Sequence, residues 1–124
     1  MPGFGLKQKR SYLLLGDYVD RGIYGIECVL LLFAMKIKTP NHVYMLRGNH
    51  ESVAMTEHFT FREEVLRKYD GDESVFDAFI EAFESMPLAA DVNGDYLCMH
   101  GGISPELATV EDINKIDRFI EPPL

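Results

Sequence analysis

Basic residues are scarce in this chain: 12 Lys and Arg stand against 20 Asp and Glu, for a formal net charge of −8. Neutralising a nucleic-acid backbone needs cationic side chains in excess, so no nucleic-acid partner is expected. Long apolar runs are lacking as well. The longest, Cys28 to Met35, is eight residues between Glu27 and Lys36. A membrane span needs about 20, so this run predicts a buried helix segment. Met1 to Arg10 carries Lys7, Lys9 and Arg10 with no apolar core behind them and does not read as a signal peptide. Cysteine is sparse: Cys28 and Cys98 lie in apolar runs without CxxC spacing. They predict two buried free thiols in a reducing compartment, cytoplasm or nucleus. No repeat, low-complexity tract or long linker divides the 124 residues, so at most one domain is expected.

What is present is an α/β pattern. Tyr12–Leu15 reads as a fully buried strand, Ile26–Lys38 as a helix rich in strong formers, and Val43–Leu46 as the next strand after the Thr39-Pro40-Asn41 stop. Such a strand–helix–strand unit pairs its strands in parallel. Their C-terminal ends then share one sheet edge, which brings Asp17 near Asn49. Thr60–Tyr69 and Ser74–Ser85 read as helices on either side of the acidic turn Asp70–Glu73, which lacks the ligand spacing of an EF-hand loop. Val75, Phe76, Phe79, Ile80 and Phe83 give the second helix one apolar face. Leu88–Val92 and Tyr96–Met99 predict a hairpin around Asn93-Gly94, with a short helix near Val110–Lys115.

Three apolar runs end in clusters of ligand-type residues: Gly16-Asp17-Tyr18-Val19-Asp20-Arg21-Gly22, Arg47-Gly48-Asn49-His50-Glu51 and His100-Gly101-Gly102. Each cluster alone reads equally well as a solvated or capping turn. All three after strands in one short chain point to metal-assisted phosphate chemistry. That chemistry needs a bridging carboxylate, further ligands, a cationic clamp and a proton donor. Asp17 suits the bridge, Asn49 and His100 suit oxygen and nitrogen ligands, and Arg21 has the planar fork for phosphate. Asn49 and His50 are adjacent at a strand end and point to opposite sides. One of them can thereby face a metal while the other faces a leaving oxygen, and Asp20 can hold His50 in the tautomer this needs. Elsewhere, Arg47 reads as a structural ion pair near the site, His42 as a surface turn residue and His58 as a packing residue.

At these residues the chain resembles the metal-dependent serine/threonine phosphoprotein phosphatases, in motif order and spacing from about Tyr12 to Pro123. Thr56–Phe61 and Asp117–Pro123 are most similar to the calcium/calmodulin-regulated calcineurin branch. The resemblance implies part of a metallophosphoesterase fold, central β-sheets flanked by helices, with residues 1–11 outside the match and 12–124 a partial catalytic domain. It implies two metal ions (iron, zinc or manganese), bridged by Asp17 with Asn49 and His100 on the second. It implies His50 as proton donor supported by Asp20, and Arg21 as phosphate ligand. In the family, a metal-bridging hydroxide attacks phosphorus in line, without a covalent phosphoenzyme.

Several features depart from that pattern. A Gly-Asp-x-His-Gly motif that supplies the first metal is expected before Tyr12, where residues 1–11 contain neither Asp nor His. A later His and a second phosphate-binding Arg fall beyond Leu124. Val53-Ala54 replaces a usually basic position, and Asp70–Glu73 carries an apparent two-residue extension. The expectation is therefore a domain truncated at both ends, with weak or no phosphatase activity on its own. Substrates would be phosphoproteins. A regulatory subunit and calmodulin are implied by resemblance alone, since no segment that binds them is recognisable. Two alternatives are a non-catalytic protein that binds phosphoproteins or regulators, and a phosphoesterase acting on a small nucleotide.

Overall fold

The computed structural model describes residues 10–123. Its elements run β1 (Tyr12–Leu14), α1 (Gly25–Lys38), β2 (Val43–Met45), α2 (Val53–His58), α3 (Phe61–Lys68), α4 (Glu73–Glu84), β3 (Ala89–Val92), β4 (Tyr96–Met99) and α5 (Val110–Asn114). Residues 1–9, most of the segment expected to fall outside the family match, lie outside the described residues.

The expected βαβ unit is present: β1 and β2 pair in parallel, with Leu13 opposite Tyr44 and α1 as the crossover. β3 and β4 pair antiparallel. Asn93 (φ +59°) and Gly94 (φ +75°) supply the two left-handed residues of their tight turn, which the Asp95 N–H closes onto Val92 O at 3.1 Å. Helix ends follow local chemistry. Asp72 Oδ1 accepts the Ser74 N–H at 3.0 Å and starts α4, so the acidic turn is a cap. α1 has no side-chain cap of its own. Instead Glu64, reaching from α3, accepts the Gly25 and Ile26 N–H groups at 3.1 and 3.2 Å. α2 is too short to announce itself by periodicity, and the sequence reading places no helix there. Ser52 Oγ caps it on Met55 N–H.

The core sits where α1, α3 and α4 meet the parallel strands. Phe76, Phe79, Ile80 and Phe83 are all buried, as the spacing along α4 predicts, and the Phe61 ring meets Phe79 edge-on at 5.3 Å. Two burial expectations fail. On α1 only Gly25, Ile26 and Val29 are buried, whereas Leu30 and Leu31 are about half exposed and Cys28 is exposed. One side of this helix faces β2 and α3, so its apolar run is only partly covered. β1 is half-buried, Leu15 is exposed, and Cys98 is only partly buried.

Candidate metal centre

Two loops build the site, one after β1 and one after β2. The first is sharply folded: Gly16, Asp17, Asp20 and Arg21 all have positive φ, between +59° and +95°. Non-glycine residues disfavour this region, so the loop needs external ties. Backbone meets backbone where the loops cross. A Cβ on Gly16 would lie 2.5 Å from Gly48 N, and one on Gly48 would lie 2.5 Å from Asp17 Oδ1. Only glycine fits at either position. Tyr18 completes the junction. Its hydroxyl reaches Leu14 O and Leu46 O at 3.0 and 2.9 Å and accepts the Gly16 N–H at 3.1 Å. Burial pushes the Tyr18 phenol up to about 12, with the Glu51 and Asp17 carboxylates adding to the rise.

At the open end of this junction the expected residues come together. His100, just past β4, places Nε2 3.3 Å from Asp17 Oδ1 and 3.1 Å from Asn49 Oδ1. Its Nδ1 lies 2.5 Å from Leu15 O, so Nδ1–H donates to that carbonyl. Nε2 then presents a lone pair toward two oxygens that also present lone pairs. Donors about 2.1 Å from a common ion stand about 3.0–3.4 Å apart, and a ligating imidazole typically donates its other N–H to a carbonyl or carboxylate. Both features are met, so these three residues fit one cation. They do not supply a second. Among the described residues, no three His, Cys, Asp or Glu side chains gather into a metal-binding group.

Beside these three residues lies the pair Asp20–His50. Asp20 Oδ2 is 2.6 Å from His50 Nδ1, with the Asp20 side chain fully buried and that of His50 4% exposed. Nε2 of His50 faces Arg21 Nη2 at 3.2 Å. Arginine only donates, so a neutral His50 with its proton on Nδ1 satisfies both neighbours. The second Asp20 oxygen accepts the Thr60 and Phe61 N–H groups at 3.1 and 2.8 Å, which starts α3. Arg21 is exposed and lies 5.1 Å over the Phe59 ring, which also packs against His50 at 4.9 Å.

Three residues of this neighbourhood escape the sequence reading. Phe59 walls both Arg21 and His50, and its one signal is its place within the Thr56–Phe61 segment. Glu51 is fully buried and binds backbone of both loops, and its one signal is its place directly after Asn49-His50. Glu121 accepts the Val53 N–H at 2.6 Å and pairs with Arg47 at 2.6 Å. Arg47 is thus the structural ion pair that was expected. His42 is exposed in its turn, and His58 is exposed with its ring edge-on to Phe59.

Residues 4–124 match the family described as calcineurin-like phosphoesterase. The chain is 54% identical over 113 residues to serine/threonine-protein phosphatase 2B catalytic subunit A1 of Saccharomyces cerevisiae, covering 91% of this chain and 20% of that protein. Catalytic subunit A2 of the same organism is 50% identical over 113 residues, covering 91% of this chain and 18% of that protein. A solved Saccharomyces cerevisiae protein serine/threonine phosphatase, with similarity to human phosphatase PP5, superposes with a TM-score of 0.88 at 44% identity. That match covers 94% of this chain and 36% of the solved one. The chain therefore spans about a fifth of the length of the two yeast phosphatase 2B subunits. Motifs, fold and matches agree: the chain belongs to the calcineurin-like phosphoesterase family.

Proposed function

We propose that this chain carries one half of a bimetal serine/threonine protein phosphatase centre. Asp17, Asn49 and His100 would hold one ion, and Asp17 would also serve a second. Arg21 takes phosphate oxygens through its planar fork, leaving His50 Nε2 free to take up a proton from solvent and hand it to the departing serine or threonine oxygen. Asp20 keeps the other ring proton on Nδ1 and balances the imidazolium before that transfer. Metal ions bound here, iron, zinc or manganese, supply positive charge to the phosphate and make water a stronger nucleophile at neutral pH. Phosphoproteins are the proposed substrates, and a regulatory subunit is the proposed partner class. A reducing compartment, cytoplasm or nucleus, suits two free thiols of which one is exposed.

The observation that carries this reading is the convergence of Asp17 Oδ1 and Asn49 Oδ1 on His100 Nε2, next to the buried Asp20–His50 pair. Isolated turnover should be weak, because a missing ion leaves substrate charge uncompensated at about several kcal/mol of transition-state stabilisation. Manganese-dependent hydrolysis of p-nitrophenyl phosphate by the purified chain, with Asp17→Asn beside it, tests the assignment. A low rate abolished by the substitution supports it, and a rate indifferent to Asp17 refutes it. A second reading, a non-catalytic protein that binds phosphoproteins or regulators, draws support from the absence, among the described residues, of any group of three His, Cys, Asp or Glu side chains that could hold a metal. Phosphopeptide binding that is indifferent to added metal would favour it.

A further inference from the structure

We infer that Glu51 is a positioning residue for the cation site, holding Asp17 in its ligating conformation. The inference rests on reading Asp17, Asn49 and His100 as metal ligands. Glu51 is 0% exposed, yet its carboxylate forms no ion pair among the described residues. A buried carboxylate is costly unless hydrogen bonds compensate it, and here three backbone donors do so. Oε2 accepts the Asp17 N–H at 2.8 Å and the Gly48 N–H at 2.9 Å, and Oε1 accepts the Tyr18 N–H at 2.7 Å. Those donors belong to two loops about 30 residues apart in sequence, so the side chain rivets one loop to the other.

The rivet acts on a residue whose conformation needs holding. Asp17 has φ +59°, a region that an ordinary residue leaves unless it is held. Glu51 holds its amide, and the His50 N–H donates to its Oδ1 at 3.3 Å. The backbone and the ligand carboxylate are thus fixed from opposite ends. Gly48 leaves no slack, because a Cβ there would sit 2.8 Å from Glu51 Oε2. Glu64 provides the natural contrast. It is equally a buried carboxylate on backbone amides, but it serves the start of α1 and Lys68, away from the cation site.

Manganese binding to the 124-residue chain, followed by the paramagnetic resonance of the free ion, tests this without requiring turnover. Glu51→Gln keeps the shape but turns one oxygen into a donor. With the amide oxygen retained by Asp17 and Gly48, its NH2 opposes the Tyr18 N–H. We expect the manganese Kd to rise about 10- to 100-fold, as when an outer-sphere partner of a metal ligand is removed. Glu64→Gln should lower the urea midpoint and leave the Kd within about twofold. A second measurement needs no variant: in the metal-free parent, the Asp17 and Tyr18 amides should exchange hydrogen far more slowly than the Gly22 amide. A folded Glu51→Gln chain with parental Kd overturns the inference and leaves the metal reading standing. So does rapid exchange at both amides, or an equal loss of affinity in Glu64→Gln. A parent that binds no manganese overturns both.

Discussion

Asp20 Oδ2 stands 2.6 Å from His50 Nδ1, while the other oxygen of the same carboxylate accepts the Thr60 and Phe61 N–H groups at the start of α3. One side chain therefore sets both where the His50 proton resides and where the helix behind it begins. Asp20→Asn separates the two roles. Its amide oxygen can stay on the helix amides, which leaves its NH2 against Nδ1 and drives the ring proton to Nε2. Long-range proton–nitrogen spectra should show that tautomer change with stability nearly intact, since Asn caps helices about as well as Asp. Asp20→Ala should cost about 1 kcal/mol in urea unfolding through the lost cap. A ring that keeps its proton on Nδ1 in Asp20→Asn would contradict the assignment of Asp20.

Arg21 is the exposed cation of the site, stacked on Phe59 and pointed at His50 Nε2. Arg21→Lys keeps the charge but loses the fork and the stacking. Charge-assisted hydrogen bonds are worth about 1.5–3 kcal/mol, so inorganic phosphate should bind the manganese-loaded variant about 10- to 100-fold more weakly. Calorimetric titration reads this directly. Equal affinity in the lysine variant would assign phosphate recognition to other groups.

Glycine positions in the two loops should behave oppositely. A Cβ on Gly48 would meet Asp17 Oδ1 at 2.5 Å and Asp17 N at 2.7 Å, whereas a Cβ on Gly22 meets nothing within 4 Å. Gly48→Ala should therefore lose manganese binding and lower the urea midpoint, and Gly22→Ala should stay within about 0.5 kcal/mol of the parent. Comparable behaviour of the two variants would mean that the loops do not cross as described.

The two kinds of site residue differ in how far the sequence exposes them. Asp17, Asn49 and His100 are each delivered by a strand end, and the strand–helix–strand pattern dictates that Asp17 and Asn49 share an edge. Their meeting is thus legible from topology alone, and His100 joins them through the hairpin. Glu51, Glu64 and Glu121 act on backbone N–H groups between about 30 and 70 residues away. An amide donor carries no side-chain signature, so nothing in the sequence marks the far end of such a bond. The same holds for burial on α1. Leu30 and Leu31 look like core by composition, yet whether they are covered depends on what packs beside the helix.

Tyr18 gives the chain an alkaline limit. Burial raises its phenol to about 12, against a value near 10 for an unfolded tyrosine. The folded state therefore holds this proton more tightly than the unfolded state does. The corresponding stability is complete below about pH 10 and is lost as pH rises toward about 12. Deprotonation would also remove the donor that the hydroxyl offers to Leu14 O and Leu46 O, at the crossing of the two loops. Tyr18→Phe should cost about 1 kcal/mol at neutral pH through these unpaired backbone groups, and it should flatten the decline between about pH 10 and 12. Urea unfolding across that range, with phenolate absorbance recorded in parallel, checks both parts. The parent should show a late-titrating phenol that the variant lacks. A decline of equal steepness in both chains would mean that the Tyr18 proton is not what holds the junction at high pH.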